Sequence, residues 1–388
     1  MKLIHTSDWH LGRFLTGRSR AEEQRSFLNW LIDIMAEERA DILLVAGDIF
    51  ETPTPSNAAQ QLYYNFLSLA CTLCRLTVII RGNHDSASLL SAPKELLKVL
   101  NVSVAGEPAE NPEDSIIVLK DAPRAIICAF AYMADKTTIL KHYSDVISLA
   151  EVKQKEILTE YGEKAPIIAL AHLTVEGLSD DILGRYSALK EEAVELGELA
   201  ARVDYFALGH IHSAFPVRAI PHLRYSGSPI NMNPMKSSAG KKIVVAEFNG
   251  GLREIREIPV PVFQEIIVIE GSIQMVSDEL KSLVSAGIKV WVLVKYSGTE
   301  TYSEARETFN EIVKDSGVEV IDAERFSEPD ISLDGETVDS RNPLRTFKRI
   351  LEMKDVAEED REELIAAFNE VLLSLNTLSP DTLLSDTL

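Results

Sequence analysis

Five short motifs in the first 212 residues bring together carboxylates, an amide and imidazoles: Asp8-Trp9-His10, Gly47-Asp48, Gly82-Asn83-His84-Asp85, Ala171-His172 and Gly209-His210-Ile211-His212. Five of the chain's eight histidines lie in them. A mixed oxygen and nitrogen donor set of this kind suits two borderline-hard divalent cations such as manganese or iron.

Donors so far apart in sequence need a framework to bring them together. Leu3 to Thr6, Ile42 to Ala46, Thr77 to Ile80, Ile116 to Leu119, Ala125 to Ala129, Ile167 to Ala171 and Tyr205 to Leu208 are short apolar runs that read as strands. Between them, Ala21 to Glu38, Ser56 to Cys71, Ala92 to Leu100 and Asp145 to Tyr161 have helical spacing of apolar residues. The alternation predicts an α/β fold in which helices cover sheets. Every motif directly follows a predicted strand, and in α/β sheets ligands collect beyond the carboxyl ends of strands. Asp8 and His212, 204 positions apart, would therefore meet at one edge.

Beyond His212, residues 215 to 258 read as β pieces, with a hairpin turn at Asn249-Gly250-Gly251. Pro259-Val260-Pro261 breaks the pattern. A β-α-β-α-β pattern then occupies Phe263 to Ile321, too small to be stable alone and expected to pack on the first domain. The expected organisation is a first domain over 1–260, a small domain over 261–325, a linker over 326–340 and a helical tail over 341–388.

Composition describes an ordinary globular chain, 46% hydrophobic and 26% charged. No apolar run approaches the roughly 18 residues of a membrane span, and Met1 leads straight into a strand with no room for a signal sequence. A cytoplasmic protein without a membrane partner is expected. Three cysteines cannot form a disulfide framework. Cys71 and Cys74 form a C-x-x-C with no second pair at zinc spacing, so buried thiols are the expectation. The net charge of −21 is unevenly spread: from Glu300 onward there are 23 acidic and 9 basic residues, leaving −7 for the rest. Acidity concentrated there does not exclude a phosphate substrate at a site holding two cations.

The motif series resembles the calcineurin-like metallophosphoesterases, with each ligand type present in order. Thr6 to Gly12, Ala46 to Phe50 and Gly82 to Ser86 narrow the likeness to nuclease subunits that act with an SbcC-like ATPase containing coiled coils. The resemblance implies a metallophosphoesterase β-sandwich flanked by helices, a small capping domain and a partner-binding tail. It places Asp8, His10, Asp48 and His212 on one metal and Asp48, Asn83, His172 and His210 on a second. Asp48 bridges because a carboxylate has two oxygens, which can hold cations about 3.5 to 4 Å apart. His84 belongs to neither set and is expected to act as general acid to the leaving 3′ oxygen, a role worth about 10² to 10⁴ in rate. Glu51 stands where protein phosphatases of the family place an aspartate supporting the equivalent histidine, and is expected to orient His84.

The resemblance further implies Mn2+ as the metal, with Mg2+ or Fe2+ as alternatives, 3′-5′ exonuclease action on duplex DNA, and endonuclease action on single strands or hairpins. A role in DNA repair, recombination and replication goes with it, as does a homodimer joined through helix 21–38 or 56–71. The chain has no Gly-x-x-x-x-Gly-Lys-Ser/Thr loop, so ATP chemistry would come from the partner.

Flanking residues are less specific. Arg13, Arg18 and Arg20 form a basic loop suited to DNA phosphates, and Arg81, Lys236, Lys241 and Lys242 could add to it. Trp9 could stack a base or be buried beside the motif; His5, one strand step away, reads as a packed neighbour. A small-molecule phosphodiesterase or phosphatase and a non-catalytic scaffold are the competing functions. Intact ligand positions argue against the scaffold, and the missing arginine after Gly47-Asp48-Ile49-Phe50-Glu51 argues against a protein-phosphatase-like site.

Overall fold

The computed structural model describes residues 1–178, 193–234 and 240–326, together with 361, 364, 365, 367 and 368. Its first compact unit, Met1–Phe326, is built on two six-stranded sheets. In chain order the elements begin β1 (Lys2–Thr6), β2 (Phe14–Leu15), β3 (Arg18–Ser19), α1 (Ala21–Glu38), β4 (Ile42–Ala46), α2 (Asn57–Leu73), β5 (Leu76–Ile80) and β6 (Val102–Ala105). They continue with β7 (Ile116–Leu119), β8 (Ala125–Ala129), α3 (Lys136–Tyr161), β9 (Ile167–His172), β10 (Tyr205–Gly209), β11 (Phe215–Pro216), β12 (Leu223–Tyr225), β13 (Lys242–Phe248) and β14 (Leu252–Pro259).

One sheet runs β14-β13-β1-β4-β5-β6 and the other β11-β12-β10-β9-β8-β7. Residues of β4, β5, β8, β9 and β10 are all buried, as expected of strands covered on both faces. Alternate residues point two ways. Leu3, Ile42, Leu44 and Val78 meet Ile127, Ile168, Leu170 and Ala207 between the sheets. Ile4, Leu43 and Val45 face outward and are covered by Phe27, Leu31 and Met35 of α1 and Tyr63 and Phe66 of α2. On the far side Tyr143, Val146, Ile147 and Ala150 of α3 cover β8, β9 and β10.

Several elements differ from the sequence reading, including the short β2–β3 hairpin within the expected basic loop and a one-turn helix at Gly197–Ala200. Helix α3 begins nine residues before the expected Asp145: Asp135 caps it by accepting a bond from Thr137 N at 2.9 Å, and buried Ile139 and Tyr143 carry its apolar face through the first turns. The expected helix Ala92 to Leu100 is instead two short pieces, Ala87–Ser91 and Lys94–Val99, broken around Pro93. Strand β6 has no counterpart among the predicted strands, being a four-residue edge strand with only Val102 buried.

The small β-α-β-α-β module is present as β15 (Ile266–Ser272), α4 (Ile273–Ser285), β16 (Val290–Ser297), α5 (Tyr302–Val313) and β17 (Val318–Arg325). Its sheet is parallel throughout, in the order β15-β16-β17. Ser272 caps α4, and Thr301 with Glu304 forms a capping box on α5. Its core is separate, centred on Val276, Leu280, Tyr296 and Phe309. Arg18 in the β2–β3 hairpin forms an ion pair with Glu319 on β17.

Ser327–Leu388 forms a second unit. The expected linker and tail lie outside the described residues, save Phe326 and five helical positions from Arg361 to Phe368. Among the described residues no helix is long and apolar enough to cross a membrane. All three cysteines are free, Cys74 and Cys128 buried and Cys71 half-buried.

Candidate metal centre

All five motifs lie at the carboxyl ends of strands, three in the first sheet and two in the second. After β1 and β4 the chain continues as two parallel loops: Asp8 N donates to Gly47 O at 3.0 Å, His10 N to Asp48 O at 3.0 Å and Leu11 N to Ile49 O at 2.8 Å. The loops fit because glycines stand where nothing larger can. A Cβ on Gly47, whose φ is +87°, would lie 2.3 Å from His172 Nδ1, and one on Gly209 would lie 1.8 Å from Ala46 O. Asp8, His10, Asp48 and His210 themselves have positive φ, of 55°, 47°, 50° and 97°. Such conformations cost about 1 to 3 kcal/mol each and persist where surrounding structure imposes them.

The donors gather in overlapping groups. Asp8, His10 and His212 offer atoms within 4.8 Å of one another, as do Asp48, His172 and His210, and also His10, Asp48 and His84. Asn83 Oδ1 lies 3.0 Å from both His172 Nε2 and His210 Nδ1. His10 Nε2 and His212 Nε2 face each other at 3.1 Å. Asp48 Oδ2 lies 3.6 Å from His10 Nε2 and 3.3 Å from His172 Nε2, between the two groups. Nitrogens and oxygens converging this closely fit a pair of divalent cations.

Further contacts fix the donors from behind. His172 Nδ1 lies 2.8 Å from Ala46 O, so Nε2 is the atom left facing the cluster. Asp8 receives Ser7 Oγ at 2.5 Å and His210 N at 2.9 Å, while Ser226 Oγ lies 2.8 Å from Ser7 Oγ. Gln24 Nε2 donates to His10 O at 2.6 Å. Lys241 Nζ donates to His212 O at 2.9 Å. Asp85 is buried and accepts from Ile49 N, Phe50 N and Gly82 N at 2.9 to 3.1 Å, tying the second and third motif loops together. Ser7, Gln24, Ser226 and Lys241 carry no sequence signal of this role; Asp85 does, since it closes the Gly82 motif.

Charge is shared unequally in the metal-free protein. Burial alone would raise the Asp48 carboxyl, but His172, His10 and His84 around it hold it far below the usual aspartate range. His172 is the counterpart: burial opposes its charge, yet Asp48 brings it up to about 9. His210, desolvated and facing His172, falls to about 3. His212 is also lowered, by burial and by His10 and Lys241.

His84 stands at the edge of this set. Its N donates to Asp48 Oδ1 at 3.0 Å and its Nδ1 lies 2.8 Å from the Glu51 carbonyl oxygen. The structure corrects the role expected of the Glu51 side chain. Its carboxylate turns away from His84, with Oε2 3.0 Å from His10 Nδ1 and Oε1 2.7 Å from Arg13 Nη1. The loop between Asp48 and Glu51 runs beside His10, so the main chain reaches His84 and the side chain does not. Arg20 is also corrected. It is 1% exposed, with Nε 2.7 Å from Glu23 Oε2 and Nη1 donating to Asn231 O, because it precedes α1 and is enclosed there. Arg13 is committed to Glu51 and Met232 O, whereas Arg18 is half-exposed and paired with Glu319.

Among the weaker candidates, Arg81 donates to Tyr132 O, Lys242 pairs with Glu257, and Lys236 lies outside the described residues. Trp9 is buried against Phe27 and Phe66 with Nε1 bonded to Thr6 Oγ1, so it stacks no base. His5 is buried with Nδ1 3.0 Å from the Tyr205 hydroxyl.

Residues 1–214 match the family model described as calcineurin-like phosphoesterase. The chain belongs to the calcineurin-like phosphoesterases. A second family model, described as the type 5 capsule protein repressor C-terminal domain, matches residues 262–355. Over 97% of its length this phosphoesterase is 29% identical to the SbcD subunit of nuclease SbcCD from Escherichia coli K12, covering 98% of that protein. It is 31% identical to the SbcD subunit from Bacillus subtilis, over 65% of this chain and 67% of that protein. With the SbcD subunit from Rhodobacter capsulatus it shares 32% identity, over 67% and 69% of the two chains. A dimetal phosphatase structure from Danio rerio is similar at 12% identity and a TM-score of 0.40, over 67% of this chain and 99% of that one. As a calcineurin-like phosphoesterase the chain is a phosphoester hydrolase of a divalent-metal-binding family, and its aspartates and histidines gather into groups that could hold a metal ion.

Proposed function

We propose that the chain is a metal-dependent DNA nuclease subunit that acts with an SbcC-like coiled-coil ATPase in processing DNA ends for repair and recombination. The observation that carries the chemistry is the pair of three-donor groups with Asp48 between them and His84 alongside. The choice of DNA is supported by the likeness to an SbcD subunit of nuclease SbcCD over nearly the whole chain. We assign Asp8, His10, Asp48 and His212 to one cation and Asp48, Asn83, His172 and His210 to the other, with Mn2+ as the preferred metal. Bound there, the cations would supply Lewis acidity toward the phosphate and a nucleophile at neutral pH.

The chain's own residues do the rest. Asp8, held by Ser7 and the His210 amide, and His172, held by Ala46 O, keep donor atoms aimed inward. His84 donates its Nδ1 proton to the Glu51 carbonyl, so the ring acts as an acid in its doubly protonated form, which has a second proton, on Nε2, to give to the leaving 3′ oxygen. The activities assigned are 3′-5′ exonuclease on duplex ends and endonuclease on single strands and hairpins, in a cytoplasmic homodimer. Residues 261–325 serve as the cap, 326–340 as the linker and 341–388 as the partner-binding tail.

The test is digestion of end-labelled duplex and hairpin DNA with Mn2+, alone and with the ATPase and ATP, beside hydrolysis of a generic phosphodiester dye. DNA cleavage that outcompetes the dye supports the reading. Dye hydrolysis unaffected by DNA, with no DNA cut, would replace it with a small-molecule phosphodiesterase.

A further inference from the structure

We infer that Glu51, clamped by Arg13, is the positioning residue for His10 and thereby sets the affinity of the Asp8, His10 and His212 group for its cation. The inference rests on the reading of His10 as a metal ligand. One residue divides its contacts between two histidines: the Glu51 carbonyl accepts from His84 Nδ1 at 2.8 Å, while a carboxylate oxygen lies 3.0 Å from His10 Nδ1, close enough for an ion pair though not aligned as a hydrogen bond. The His10 ring is 1% exposed and has its Nε2 toward His212 and Asp48. A carboxylate this close to Nδ1 favours the proton there and leaves Nε2 as the donor, and turning the ring into line with it would give the arrangement commonly found behind metal-bound histidines.

Arg13 supplies the restraint that makes this orientation specific. Its Nη1 lies 2.7 Å from Glu51 Oε1, its Nη2 donates to Met232 O at 3.3 Å, and its own N donates to His10 O at 3.0 Å. Glu51 N in turn donates to Leu11 O at 3.1 Å. The clamp therefore joins three segments that meet only in the folded chain: the loop after β1, the loop after β4 and residues near 232. Arg13 thus serves the metal site from within, not as a free phosphate contact.

The test is Mn2+ titration of the full chain by calorimetry, for wild type, His10→Gln, Glu51→Gln, Glu51→Asp, Arg13→Gln and the Glu51→Gln/Arg13→Gln double variant. Metal-free thermal melts serve as the folding control. Glu51→Gln is expected to weaken Mn2+ at one site by about 10- to 100-fold. Glu51→Asp should recover part of the loss, and Arg13→Gln should weaken the same site. The double variant should be no weaker than Glu51→Gln alone, because both act through one contact. Wild-type Mn2+ affinity in a folded Glu51→Gln, or strictly additive losses, would overturn the inference. Should His10→Gln bind both cations as wild type does, the ligand reading itself fails, and the inference with it.

Discussion

The proposed function gives His84 and the motif ligands different jobs, and substitutions should separate them. His84→Ala would remove the proposed proton donor but no assigned ligand, so DNA cleavage should fall by about 10² to 10⁴ while calorimetric Mn2+ affinity is retained. Equal cleavage by wild type and His84→Ala would remove the histidine from the mechanism. Asp85 is a different case. Its carboxylate satisfies three buried amides, and orphaned buried donors cost about 1 to 3 kcal/mol each. Asp85→Ala should therefore lower the unfolding free energy in urea by at least about 2 kcal/mol, and a change below about 0.5 kcal/mol, the range of an ordinary surface substitution, would refute the loop-tying role. His5 gives the pH dependence of stability. Burial lowers it from 6.5 to about 3 in the folded protein, so the unfolded chain binds the proton first. Its contribution is complete above pH 6.5 and is lost as pH falls from 6.5 toward 3, at up to about 1.4 kcal/mol per pH unit. Urea midpoints of wild type and His5→Gln should converge across that window.

At the scale of elements, the hairpin β2–β3 and strand β17 meet through Arg18 and Glu319, half-exposed on both sides. An exposed pair contributes about 0 to 1 kcal/mol, so Arg18→Ala should leave stability nearly unchanged. If Arg18 also meets a DNA phosphate, the same variant should reduce the slope of log affinity against log salt by about 1. The strands and the helices on the first domain are legible in the apolar periodicity, because buried parallel strands such as Ile42–Ala46 are continuous apolar runs. Strand β6 is not, since an edge strand with one buried residue leaves no such run. The start of α3, by contrast, leaves a signal that a start at Asp145 omits: the cap residue Asp135, with Ile139 and Tyr143 in helical register behind it.

For the whole molecule, metal binding and folding should be linked. The donors come from five loops at the ends of strands in both sheets, so the unfolded chain offers no comparable site. Ligand that binds only the folded state stabilises it by about 2.7 kcal/mol at a hundredfold excess over Kd. The melting temperature should rise with Mn2+ and return to the metal-free value with chelator. A melting temperature indifferent to Mn2+ would argue against the assigned ligands.

Residue types and order by themselves determined the motif ladder, the strands that precede it and the phosphoesterase family, because donor chemistry and apolar period are local properties of a chain. Tertiary structure alone decided which atom of each residue does what. Glu51 turned its carboxylate to His10 and gave His84 only its carbonyl, Arg20 was enclosed beside α1, and Trp9 went into the core. Those outcomes depend on which loops lie side by side after the two sheets pack, and the close approach of residues far apart in sequence leaves no trace in composition or spacing.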